Sequence, residues 1–243
     1  MMIRLTERDR RMLMKCAVCR WLTTDQIRRV YFPEASLNAV QKRLRKLAEA
    51  GYLRSYREHP TAEAIHALGP KGKPLGEEKG IEVALQAEVP KQIEHLLGIN
   101  EIRVFVEMSG AEIVYFFSWQ ELRTMGWTYA VIPDAVFAVR APGRRTLVEY
   151  DRSTETLEKL IEKLVWYDKG LLEFPFEAVL IITERTRRLD VLSRELRRKG
   201  VSVTTLASTT AEISEGGFFE VPFADLLRAA RRRVLEAPSE DEA

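Results

Sequence analysis

Residues 131–156, VIPDAVFAVRAPGRRTLVEYDRSTET, constrain the fold of this chain more than any other stretch. Two runs rich in β-branched and aromatic residues, Val131 to Arg140 and Arg145 to Tyr150, read as strands. Ala141-Pro142-Gly143 between them is a turn signal. Side chains alternate along a strand, so Glu149 and Asp151 point to one face. A hairpin brings Asp134, near the start of the first strand, beside them. Three buried carboxylates repel one another and lose hydration unless a cation neutralises them. The pattern therefore points to Mg²⁺ or Mn²⁺ held by Asp134, Glu149 and Asp151, and to chemistry on a phosphate. The competing reading is structural: acids at a strand end, with Asp151 or Ser153 capping the free N–H groups of the next helix.

The elements around the hairpin fit a sheet domain. A helix is expected from Pro90 to about Ser109, a strand at Glu112 to Phe117, and a short helical turn within residues 118–127. After the hairpin come a helix at Thr154 to Lys169, an apolar strand at Glu177 to Thr183, a helix at Arg187 to Lys199 ended by Gly200, and a strand at Val201 to Leu206. The order α-β-β-β-α-β-α-β predicts a mixed sheet flanked by helices, an α/β (α+β) architecture. A last helix is expected at Phe223 to Leu235, followed by a disordered acidic tail, residues 237–243.

Element order and acids together resemble the PD-(D/E)XK nuclease superfamily. Pro133-Asp134 and Glu149-x-Asp151 match its two motifs. Asp151 stands where that superfamily has a lysine. Lys159 and Lys163 lie on the following helix, in a row with Glu155 at i, i+4 spacing. They read either as surface ion pairs or as a source of the lysine, with Lys163 reaching back to the acids. Glu94 or Glu101 could add a further carboxylate. By the resemblance, Asp134, Glu149, Asp151 and Lys163 are the candidate catalytic set.

Charge divides the chain. Residues 1–75 carry 16 Lys and Arg against 7 Asp and Glu, a net of +9, while the remainder carries a net of −7. The basic end is the candidate for nucleic acid. It reads as three helices and a hairpin. Thr6 caps the first helix, Thr24 a short second one to Tyr31, and Ser36 a third that ends at Gly51. Strand-like runs follow at Tyr52 to Arg57 and Ile65 to Leu68. On the third helix, Val40, Leu44 and Leu47 form an apolar row, and Asn38, Gln41, Lys42 and Arg45 fall on the opposite side. Those four are residue types that read base edges and phosphates. The pattern resembles a winged helix-turn-helix over residues 6–69, which implies the third helix in a major groove and Arg54 and Arg57, with His59, near phosphates. A solvated basic face, or a surface for protein contacts, is the competing reading.

The expected domains are a winged helix at 1–75, a linker at 76–89, a nuclease-like domain at 90–236, and the tail, with Gly69 to Gly76 read as a flexible connector. Cys16 and Cys19 lack partner ligands for zinc and read as packing residues. The charged N-terminus MMIRLTERDRR lacks an apolar segment, and no apolar run reaches a membrane span. A cytoplasmic protein with no membrane partner is expected.

The whole pattern is similar to the replication-relaxation family. The pieces that carry the likeness are LTTDQI, LRKLAEAGYL, His95 to Asn100, Pro133-Asp134-Ala135 and Glu149 to Glu155. That resemblance implies a protein of plasmids, phages or integrated elements acting in replication, DNA relaxation or mobilisation, and an acid-x-acid in the third strand. It implies double-stranded DNA as partner, with a second copy of the chain and replication or mobilisation proteins as further candidates. Three functions follow as expectations: a DNA-binding factor carrying a nuclease-like domain, an active metal-dependent endonuclease or nickase, or a transcriptional regulator.

Overall fold

The structure is a computed structural model that describes residues 3–78, 83–109, 112–129, 131–140, 145–169, 175–201 and 205–209. The expected turn at Ala141 to Gly143, the last helix at Phe223 to Leu235 and the acidic tail lie outside the described residues. The chain divides into two compact units, Met1–Val104 and Phe105–Ala243.

The first unit holds α1 (Glu7–Cys19), β1 (Leu22–Thr23), α2 (Thr24–Tyr31), α3 (Leu37–Glu49), β2 (Leu53–Tyr56), β3 (Ile65–Leu68) and α4 (Lys73–Glu77). Its three strands form an antiparallel sheet in the order β1-β3-β2. Capping fixes the helix starts. Thr6 and Asp9 make a reciprocal capping box on α1, and Thr23 and Gln26 make one on α2. The cap of α2 is thus Thr23, one residue before the expected Thr24. Thr24 instead turns its hydroxyl to the Ala64 carbonyl and the His66 ring. Ser36 caps α3, and Gly51 follows that helix at φ +85, a conformation that costs a Cβ-bearing residue.

The amphipathic rows of the three helices meet in one core. Met12, Leu13, Cys16, Ile27, Val40, Leu44 and Leu47 are all buried there. Asp9 is buried as well and is neutralised by Arg43 of α3, whose Nε lies 3.0 Å from Oδ1. Burial alone would raise the Asp9 pKa, but hydrogen bonds from Arg43 and Thr6 hold it below the ordinary carboxylate value.

The Gly/Pro-rich stretch after β3 is folded, not a flexible connector. Pro70–Gly72 forms a 3-10 turn and α4 follows directly. Pro at the first helical turn forfeits no needed N–H donor. Gly76 lets Val83 pack where a side chain would stand, since a Cβ would meet Val83 Cγ2 at 2.2 Å.

The helix expected from Pro90 is α5 (Ile93–Met108), and the division between units falls inside it. Its first turns belong to the first unit. Asn100 donates to the carbonyls of Cys19 at 3.0 Å and Trp21 at 2.7 Å. Glu101 accepts from Arg29 and Gln26 of α2. Leu96 joins Trp21, Ile65 and Ala67 in a second small core.

The second unit contains β4 (Ile113–Ser118), α6 (Trp119–Thr124), β5 (Ala135–Val139), β6 (Arg145–Asp151), α7 (Leu157–Asp168), β7 (Ala178–Thr183), α8 (Thr186–Arg198) and β8 (Thr205–Thr209). The sheet order is β4-β5-β6-β7-β8, antiparallel from β4 to β6 and parallel from β6 to β8. The open mixed sheet flanked by helices that the sequence predicts is present. All six residues of β7 are buried, as expected of a central strand covered on both faces. Leu160, Ile161 and Leu164 of α7 and Leu192 and Leu196 of α8 pack with Leu147, Val179 and Ile181 of the strands.

Candidate functional site

Two clusters of polar side chains stand out, one in each unit. In the first unit, α3 and the β2-β3 hairpin enclose a groove of about 340 Å³. Asn38, Gln41, Lys42 and Arg45 line one side of it, and Ser55, Tyr56 and Arg57 the other. Helical spacing explains the α3 side, since the opposite face of the helix is committed to the core. These four residues are exposed, and none makes an ion pair among the described residues. Arg43, on the same helix, is spent on Asp9. The groove thus keeps a net positive charge, Lys42, Arg45 and Arg57 against Glu49, the electrostatic condition for meeting a polyanion.

The structure separates the two arginines expected near phosphates. Arg57 lines the groove and donates to the Pro60 carbonyl at 2.8 Å. Arg54, one pleat away from Ser55, donates to the carbonyls of Gln86 at 2.9 Å and Ala87 at 3.4 Å. His59 is bound to Thr61 at 3.0 Å and does not line the groove. His66, which no sequence pattern singles out, lines the groove from its buried floor. Its Nε2 lies 3.0 Å from the Thr24 hydroxyl and its Nδ1 2.9 Å from that of Ser55. Burial, reinforced by the charge of Arg57, lowers its pKa to about 4, so the ring is neutral at pH 7.

In the second unit the acids expected at a metal are present but arranged differently. Asp134 directly precedes β5 and accepts from the Tyr150 backbone N–H at 2.7 Å. Glu149, on β6, is buried. Its Oε2 is 2.7 Å from Lys163 Nζ, and its Oε1 accepts from the Tyr167 hydroxyl at 2.6 Å. Lys163 and Tyr167 are one turn apart on α7, which is why both reach the same carboxylate. Lys163 thus turns to Glu149 instead of forming a surface ion pair. Lys159 has no ion-pair partner among the described residues, so the surface row with Glu155 does not form.

Asp151 does not join this group. Arg188 of α8 takes both of its oxygens, and the Ser153 N–H donates to Oδ1 at 2.9 Å. The Ser153 contact is a local turn (φ 60) closing β6, while the cap of α7 is Thr156. Neither acid nor serine caps the helix. Of the two further acids, Glu94 and Glu101, the second pairs with Arg29 in the first unit.

Electrostatics follow from this pairing. Burial, then repulsion from Asp134, pushes the Glu149 pKa up to about 7, against the opposing pull of Lys163. Burial would lower that of Lys163, but the charges of Glu149 and Asp134 outweigh it and raise it. Burial and the neighbouring carboxylate raise the Tyr167 hydroxyl well above its ordinary value. As arranged, the donors do not fit a divalent ion. Both Glu149 oxygens and both Asp151 oxygens are held by protein donors. Among the described residues no group of three or more His, Cys, Asp or Glu is gathered to hold one. Protein cations and hydroxyls do the neutralising instead.

Tyr167 and Arg188 are the residues that the sequence reading missed here. The only sequence signal for Tyr167 was its place one turn after Lys163. Arg188 lies 37 positions from Asp151, beyond any local pattern.

No helix among the described residues is long and apolar enough to cross a membrane. A sequence model of the family described as replication-relaxation matches residues 14–171, well over half of the chain. No curated protein and no solved structure matches it.

Proposed function

The chain belongs to the replication-relaxation family, and from that premise we propose that it is a DNA-binding protein of a plasmid, phage or integrated element, acting in replication, relaxation or mobilisation. One observation carries the reading. The groove between α3 and the β2-β3 hairpin gathers Asn38, Gln41, Lys42, Arg45 and Arg57, and among the described residues its α3 side chains have no ion-pair partners. Three helices and a hairpin of this order support a winged helix, with α3 as the element entering a major groove. Lys42, Arg45 and Arg57 would meet phosphates, and Asn38 and Gln41 base edges. Arg54 contributes to the fold of its own unit rather than to this surface.

The test is fluorescence anisotropy of the full chain with duplex DNA across a salt series. Replacing Lys42 and Arg45 together by Ala is expected to weaken binding at every sequence and to lower the salt slope by roughly two. Arg54→Ala is expected to leave the slope unchanged. An unchanged slope in the double variant would remove α3 from the interface.

A second reading, a DNA nuclease, is favoured by the meeting of Asp134, Glu149 and Lys163 at one point. Mg²⁺ or Mn²⁺ would be its cofactor, and the donor set would have to rearrange to accept one. Incubation of supercoiled plasmid with either ion tests it. Nicked or linear product from wild type, absent with Asp134→Ala and Glu149→Ala, would establish that activity. Intact plasmid from all three would leave the sheet unit as a scaffold.

A further inference from the structure

Beside the Glu149 cluster α7 presents a second polar face. Lys159, Lys163 and Trp166 fall at i, i+4 and i+7, one stripe of the helix, while Leu160, Ile161 and Leu164 on the other side are buried. Val131 and Ile132, just ahead of Asp134, form the facing wall. Between them is an open pocket of about 380 Å³, also lined by Glu162. Such a volume lies within the lower range for ligand pockets.

The lining has mixed chemistry. An indole and two branched aliphatic side chains, all only partly buried, offer apolar surfaces. Lys159 is exposed with no ion-pair partner among the described residues. The Lys163 side chain keeps 23% of its surface exposed while bound to Glu149. Lys159 is the cation of the rim that no carboxylate holds among the described residues, whereas the Lys163 ammonium is shared with Glu149, and Glu162 adds one carboxylate. An aromatic face next to cations is how proteins hold an unpaired base and its phosphate. A base inside a duplex has both faces stacked and cannot reach an indole.

We infer that this pocket takes a nucleotide of single-stranded DNA, with the base against Trp166 and Val131–Ile132 and the phosphate on Lys159. Glu162 is then placed to accept from an exocyclic amino group. The site goes beyond the duplex groove proposed for the first unit and does not depend on it. DNA relaxation or replication exposes single strands, which gives a second site of this kind its substrate.

The experiment uses the full chain and a fluorescein-labelled mixed-sequence 12-mer, offered as a single strand and as a duplex. Trp166→Leu, which keeps apolar bulk but has no π face, is expected to weaken single-strand binding roughly tenfold. Trp166→Phe is expected to retain it, and Lys159→Ala to lower its salt slope by about 0.7. Duplex affinity is expected to be unchanged in all three. Thermal melts check folding. Should Trp166→Leu melt early, the Phe and Lys159 variants decide. Single-strand affinity unmoved by Trp166→Leu and Lys159→Ala, or an equal loss on both probes, would overturn the inference. The double Ala variant at Lys42 and Arg45, run alongside, is expected to lose duplex binding, so failure of the pocket is distinguishable from failure of the groove.

Discussion

The groove on α3 and the Glu149 cluster treat charge in opposite ways. In the groove, Lys42 and Arg45 are exposed and make no ion pair among the described residues. In the cluster, Glu149 is buried and paired with Lys163, and Asp151 on the same strand is buried and paired separately with Arg188. A surface that keeps its charges exposed and uncompensated is poised for a partner from outside. A buried group that supplies its own counter-charges has already spent its electrostatic energy on the fold. The difference is why the duplex-binding proposal rests on the first region and not on the second.

The sharpest way to break that contrast is to open the closed cluster. Lys163→Met leaves Glu149 buried without its cation. Glu149 already sits at about 7 against an ordinary 4.5. A raised folded value means that its neutral form stabilises the fold below pH 4.5, and that this contribution is lost as pH rises through 7. The variant should therefore be destabilised by about 3 kcal/mol at pH 8 and far less at pH 5. Urea unfolding at the two pH values checks this, and equal losses at both would mean that the pair is not electrostatic in origin.

A smaller effect compares two neighbours on one helix. Arg43 is tied to buried Asp9, whereas Lys42 faces the groove. Arg43→Ala should cost about 2 kcal/mol, and Lys42→Ala should stay within about 0.5 kcal/mol. Similar losses in thermal unfolding would erase the distinction between the two faces of α3.

The smallest effect concerns the groove floor. The His66 pKa falls to about 4 from an ordinary 6.5. The unfolded chain then takes up the proton first, so the stability that His66 contributes is full above pH 6.5 and falls as pH drops toward 4. The loss from pH 6.5 to 5.5 should be on the order of 1 kcal/mol. His66→Gln should flatten that slope, and an unaltered pH profile would contradict the neutral floor.

Much of this was legible in the sequence for a physical reason: local rules act over a few residues. Ser36, the Val40-Leu44-Leu47 row and Gly51 bound α3 from cap to stop. The apolar run of β7 and the order of elements gave the mixed sheet. The same rules placed Asn38, Gln41, Lys42 and Arg45 on one face. Long-range pairing was not legible. Arg43 with Asp9 and Arg188 with Asp151 join residues 34 and 37 apart, and no periodicity foretells which arginine is spent internally. Asp151 looked like a partner of Glu149 because both face the same side of β6. The two cations that separate them arrive from different helices, α7 and α8. His66 was hidden because a scattered histidine carries no pattern until Thr24 and Ser55 are brought to it.

Hydrogen exchange of the full chain, with and without a saturating duplex at low salt, asks whether duplex DNA meets the α3 groove and not the acid cluster. Protection gained over residues 37–57, with residues 134–163 unchanged, is the predicted result. Protection confined to 134–163, with α3 exchanging as in the free protein, would contradict it.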